Sequence, residues 1–199
     1  MAEKIIDLNK PLELIPISTV NWADFPLKPD VKFSIAASKD TLYLRYEVHE
    51  KYIRAMATQI NGRVWEDSCV EFFFSPRSNG RYYNFEFSCT GIPLVASGRG
   101  RSGRVALPES VIRQLTIKPS LGKGPIEPKE GDFHWTLDVE IPAAVLLFDE
   151  IASFEALDAR ANFYKCGDKT AEPHYLSWNP IDTPSPDFHQ YKFFGKLVK

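Results

Sequence analysis

Several stretches of this chain alternate apolar and polar residues with a period of two, and that rhythm constrains the fold more than any other feature. In VKFSIAAS, Val31, Phe33 and Ile35 share a face. In TLYLRYEVHE, Leu42, Leu44, Tyr46 and Val48 oppose Tyr43, Arg45, Glu47 and His49. In YYNFEFSCTG, Tyr83, Phe85, Phe87 and Cys89 oppose Tyr82, Asn84, Glu86 and Ser88. In DFHWTLDVEIP, Phe133, Trp135, Leu137, Val139 and Ile141 oppose His134, Thr136, Asp138 and Glu140, and DARANFYKC sets Ala159, Ala161 and Phe163 against Arg160, Asn162 and Tyr164. This is the period of an extended chain, whose successive side chains point to opposite faces. Helix signals are confined to AAVLLFDE after Pro142 and to PESVIRQL. The segments SPRSNGR, 75–81, and KPSLGKGPIEPKEGD, 118–132, read as loops, and YKFFGKLVK reads as a closing strand. Repeated strands without alternating helices predict one all-β domain over residues 1–199, an antiparallel β-sandwich with one or two short helices.

Composition excludes several classes of function. A net charge of -2 with scattered basic residues offers no positive field for nucleic acid. No apolar run reaches the roughly 18 residues of a membrane helix. The start, MAEKIIDLNKPLEL, has no apolar core behind a basic opening, so the expectation is a cytoplasmic chain or a shortened secreted one. Cys69, Cys89 and Cys166 are odd in number and widely spaced, which predicts buried free thiols. Oligomeric state is not legible.

The polar strand faces carry Arg45, Glu47, Glu71, Asn84, Glu86, Asp138, Glu140, Arg160 and Asn162 instead of the Thr, Lys and Ser usual on solvated sheets. Two readings stand: a salt-bridged exposed surface, or a polar floor whose carboxylates, amides and guanidinium groups bond adjacent hydroxyls. In VWEDSCVEFFF, Trp65 stands ahead of a strand whose apolar face is Val70, Phe72 and Phe74, with Glu71 on the other side. In PHYLSWNPIDTPSPDFH, Trp178 lies in a proline-studded segment that reads as a loop. Either indole is a core plug or a ligand platform. Trp135 reads as core, and Trp22 as an anchor.

VWEDSCVEFFF, YYNFEFSCTG, RANFYKCGD and HYLSWNPI together resemble family 9 carbohydrate-binding modules, in particular a divergent bacterial group within the DOMON-like class. The resemblance runs from about residue 30 to the C-terminus. It implies a β-sandwich, a sugar ring held between two tryptophans, and structural calcium in several members. The sandwiching indoles match Trp65 and Trp178, and the hydroxyl-binding strand glutamate matches Glu71. The chain departs from the pattern where an arginine and an asparagine two apart are replaced by Glu86 and Ser88, and where an asparagine three before the second tryptophan is replaced by Tyr175. Asn84 and Arg160 join the candidate ligand residues by strand parity. The implied partner is a mono- or oligosaccharide.

Three alternatives accompany this reading. Glu71, Glu86, Asp138 and Glu140 could supply two carboxylates at glycosidase separation, roughly 5 or 6.5–9.5 Å. DOMON-like haem binders use Met and His ligands, for which Met56 and histidines 49, 134, 174 and 189 are the candidates. The loop SGRGRSGR, 97–104, is a solvated linker or a border of the sugar site; Arg99, Arg101 or Arg160 would then supply the cation missing from the strand.

Overall fold

The computed structural model describes residues 4–199. The strands are β1 (Ile5–Asp7), β2 (Ile15–Pro16), β3 (Thr19–Val20), β4 (Asp30–Ala37), β5 (Thr41–Ala55), β6 (Cys69–Ser75) and β7 (Tyr82–Ser88), followed by β8 (Pro93–Gly98), β9 (Val105–Ala106), β10 (Thr116–Pro119), β11 (Ile126–Pro142), β12 (Asp158–Cys166), β13 (Tyr175–Ser177) and β14 (Gly195–Val198). They form two sheets. One runs β1-β14-β12-β6-β7-β8-β9, with β13 and β3 attached through β12; the other runs β10-β11-β5-β4-β2. All pairs are antiparallel except β1 with β14. The two helix signals yield one turn of α-helix, Glu109–Ile112, and a 3-10 turn, Ala143–Val145.

The alternation sets the core. Val31, Phe33, Ile35, Leu44, Tyr46, Trp135, Leu137 and Val139 from one sheet meet Val70, Phe72, Phe74, Phe85, Phe87 and Phe163 from the other. Phe33 stacks on Phe163 with centroids 3.7 Å apart, across the gap between the sheets. Such burial is the main favourable term in folding. The segment 118–132, expected as a loop, is strand at both ends. β5 is fifteen residues long, and its backbone offers partners to β11 from Ile126 onward. Pro128, which has no N–H to donate, falls inside the register irregularity between Ile126 and Lys129.

The first sheet is covered on both faces. Trp22, Phe73, Tyr82, Tyr164, Ile181, Phe188 and Phe194 build a second apolar cluster on its outer side, with Phe25, Trp65 and Tyr175 packed at its edge. Every residue of β6, β7 and β8 is therefore buried. The outer face of the second sheet stays wet, and there Arg45 pairs with Glu47 at 3.0 Å and with Asp138 at 2.8 Å. The salt-bridged reading of the polar faces thus holds for the second sheet, whereas Glu71, Asn84 and Glu86 of the first are buried beneath the second cluster. Asp138 and Glu140 belong to a different sheet from Glu71 and Glu86, so they do not combine into a carboxylate pair.

Candidate functional site

A cleft of about 470 Å³ opens through the outer layer of the first sheet, lined by Trp65, Glu71, Glu86, Tyr175, Phe25 and Phe188, with Arg101, Arg104, Cys166, Asp168, Asp187 and His189 completing it. Its floor is strand and its walls are loop. Glu71 and Glu86 are direct register partners on β6 and β7, both on the outer face.

Local structure fixes Trp65. The 3-10 turn Val64–Glu66 precedes β6, and Asp67 ends it with a wholly buried carboxylate. That carboxylate accepts from the backbone N–H groups of Met56 and Ala57 at 3.0 and 2.9 Å and pairs with Arg54. Glu66 binds Lys169 at 3.0 Å. The backbone N–H of Asp168 donates to the Trp65 carbonyl at 3.1 Å. The two acids after Trp65 thus tie its turn to β5 and to the segment leading to Tyr175, leaving the indole half-buried at the rim.

The floor is short of positive charge. Burial raises the Glu71 carboxyl well above the carboxylate range, reinforced by the neighbouring Glu86, while Cys166 Sγ donates to Glu71 Oε1 at 3.1 Å. Burial likewise lifts Glu86 to about 7, with Asn84 Nδ2, donating at 2.9 Å, and the charge of Arg104 pulling the other way. Asp168 is raised to about 6 by burial, against a hydrogen bond from Tyr175. Burial beside Arg104 and Arg101 holds His189 down at about 3, so its ring is neutral. Its Nδ1 lies 2.9 Å from Tyr82 Oη and 2.7 Å from Arg104 Nη1. Hydrogen-bond acceptors, donors and aromatic faces therefore converge on one solvent-open volume.

The residues expected from sequence divide sharply. Trp65, Glu71, Glu86 and Tyr175 line the cleft, and Asn84 supports it through Glu86. Trp178 does not. It is 4 % exposed and packs inside the sandwich, edge-on to Phe33 and Phe163 at 6.2 and 5.8 Å, on the opposite face of the sheet from Trp65. The segment continues β13: Trp178 N–H donates to the Phe163 carbonyl at 2.8 Å, so Trp178 shares the inward parity of Leu176 while Tyr175 turns outward. The expected gap between two indoles is thus corrected to a cleft bordered by Trp65 and Tyr175. Ser88 is withdrawn into the β7–β8 turn, lying 3.2 Å from Thr90 Oγ1 and accepting from Ile92 N–H at 3.0 Å. Arg160 binds the Phe194 carbonyl at 3.0 Å and does not line the cleft. Arg101 and Arg104 do line it, as a border role for SGRGRSGR requires, whereas Arg99 binds the Asn79 carbonyl. Asp168, Phe25 and Phe188 escaped sequence reasoning, and His189 entered it only as a haem-ligand candidate, because loops carry no periodicity from which to place them.

All three cysteines are free and buried. Two groups of metal-ligating side chains converge among the described residues: Cys69, Glu71 and Cys166 under the cleft, and His49, Asp132 and His134 on the second sheet. Both mix oxygen with nitrogen or sulfur. Calcium takes oxygen ligands alone, six to eight of them, so neither group fits the calcium that the resemblance implies.

Among curated proteins none matches the chain. Of solved structures, a candidate carbohydrate-binding protein from Bacteroides uniformis is similar at 42% identity and TM-score 0.92, covering 94% of this chain and 86% of that one. A carbohydrate-binding module of family 9 from Caldicellulosiruptor kristjanssonii, in complex with glucose, shares the fold at TM-score 0.63 and 10% identity, over 98% of this chain and 95% of that one. A family 9 carbohydrate-binding module from the same organism, in complex with cellotriose, shares the fold at TM-score 0.60 and 10% identity, over 98% of this chain and 91% of that one. The sequence profile of Carbohydrate-binding family 9 matches residues 1–198, and the chain belongs to that family.

Proposed function

We propose that the chain binds a mono- or short oligosaccharide without cleaving it, in the cleft between Trp65 and Tyr175. One observation carries this: a cleft of about 470 Å³ has aromatic walls and a hydrogen-bonding floor of Glu71 and Glu86. That size falls within the range of small-molecule sites, about 300–1,000 Å³. A pyranose needs both kinds of surface. Its C–H faces gain dispersion contacts from aromatic rings, while its hydroxyls cost roughly 1–3 kcal/mol each if buried without partners. Protonated Glu71 can donate as well as accept, and Arg101 and Arg104 add donors above the floor. Membership of Carbohydrate-binding family 9, and the sugars bound by its structural neighbours, support the same reading. Calorimetry with a panel including glucose and cello-oligosaccharides tests it. Saturable binding that weakens roughly tenfold or more in Trp65→Ala is expected; no binding to any sugar, or binding indifferent to Trp65, overturns it.

A second reading, glycoside hydrolysis, rests on the adjacent carboxyls of Glu71 and Glu86, one of them titrating near neutrality. Turnover of aryl glycosides that vanishes in Glu71→Gln would favour it over binding alone.

A further inference from the structure

We propose that His49, Asp132 and His134 form a binding site for a borderline divalent transition-metal ion of the zinc class, on the outer face of the second sheet and separate from the sugar cleft. The two histidines are register partners on β5 and β11, and their rings stack with centroids 3.8 Å apart. Asp132 reaches both: Oδ1 bonds His49 Nε2, and Oδ2 lies 3.6 Å from His134 Nε2. One ligand atom from each residue falls within 4.8 Å of the others. In a tetrahedral zinc site with ligand bonds of about 2.0–2.1 Å, neighbouring ligand atoms sit about 3.4 Å apart. The three side chains are exposed, so the small ring rotations that aim both lone pairs at one ion meet no packing resistance.

Two features set the group apart from a surface ion pair. First, the backbone is bent to make it. The register advances from Glu130↔Tyr52 to Phe133↔Glu50, which is three residues on β11 against two on β5. That bulge, at Gly131 and Asp132, keeps the carboxylate on the outer face with His49 and His134, where the unbulged Glu130 register would set Asp132 against inward Glu50; Lys51, its other outer-face neighbour, does not compete for it. Lys51 is engaged with Glu130 at 2.8 Å instead. Second, the site has an open side. His49 and Asp132 line a second cleft of about 550 Å³, and Asp30, the β4 register partner of His49, lines it too. A water or the Asp30 carboxylate can take the remaining coordination position. Two imidazoles and one carboxylate with a vacant position suit zinc, nickel, copper or ferrous iron better than magnesium or calcium.

Calorimetry of the full chain with zinc chloride at about pH 7.5 tests the assignment, with calcium chloride as comparison. Expected are saturable uptake near one ion per chain, at least tenfold weaker in His134→Ala and in Asp132→Asn, and no calcium response. Both substitutions lie on the surface, so circular dichroism should confirm an unchanged fold. Cobalt distinguishes the two clusters, because coordination by Cys69 and Cys166 would give thiolate charge-transfer absorption and the histidine site would not. No saturable uptake, uptake unchanged in both variants, or such absorption at one equivalent overturns the proposal.

Discussion

Glu71 and Glu86 face each other across β6 and β7, with 3 % and 4 % of their surfaces exposed, and no ion pair satisfies either within the described residues. A protein keeps two carboxyls in that situation only by leaving protons on them over much of the pH range.

Stability should record this. Glu86 titrates at about 7 when folded, against an ordinary value of 4.5. The folded state therefore holds the proton more tightly, and the stability this confers is fully present below about pH 4.5 and lost as pH rises toward 7. Glu86→Gln keeps an acceptor for Asn84 and removes the titration. Melting the two proteins between pH 4 and 8 should show the variant gaining on the native chain across that window, by on the order of 2–3 kcal/mol.

Trp65→Ala and Trp178→Ala should separate. The first removes a rim indole and is expected to weaken sugar binding roughly tenfold or more, with the melting temperature little changed. The second empties part of the inter-sheet core and should cost about 3–5 kcal/mol in urea titrations. Equal losses of affinity at unchanged stability would contradict the geometry described.

Gly195→Ala probes the same core from the other side. A Cβ at Gly195 would lie 2.6 Å from Trp178 Cζ3 and 2.7 Å from the Lys4 carbonyl. Neither an inward indole nor a strand backbone yields easily, so the added methyl should destabilise by about 1–3 kcal/mol, read from the unfolding midpoint.

Between the sheets lies a buried ion pair. Lys165 Nζ is 2.9 Å from Glu50 and 2.8 Å from His174 Nε2, and Glu50 accepts from Trp135 Nε1 at 2.7 Å. Lysine can only donate, so His174 is a neutral acceptor there, in keeping with burial that pushes its pKa well below the usual range. Lys165→Met strands Glu50 and should cost about 3–5 kcal/mol, part of which the double variant with Glu50→Gln should recover.

The fold was legible because alternation is written in the strands, and Glu71 and Glu86 were legible with it, as polar residues opposed to phenylalanines. Lys165 was hidden by the same rule: it holds an inward position in β12, and only the partner sheet reveals Glu50 waiting for it. Trp178 was misplaced because prolines made its segment look like loop. The hydrogen bond from Trp178 N–H to the Phe163 carbonyl continues the pairing of β13 with β12, and parity decides which face receives the ring. The rim residues Phe25, Arg104 and His189 come from distant loops, where spacing says nothing about neighbourhood.

Phe72 and Phe74 point into the sandwich from the very strand that raises Glu71 into the cleft, and Tyr46 of the opposite sheet fastens that strand by donating to the Glu71 carbonyl at 3.1 Å. Sliding β6 by one residue would turn the acid into the inter-sheet core and the phenylalanines toward the cleft. The floor is thus frozen by the same constraint that keeps the domain folded, while the hinterland of loops around it can change at little structural risk.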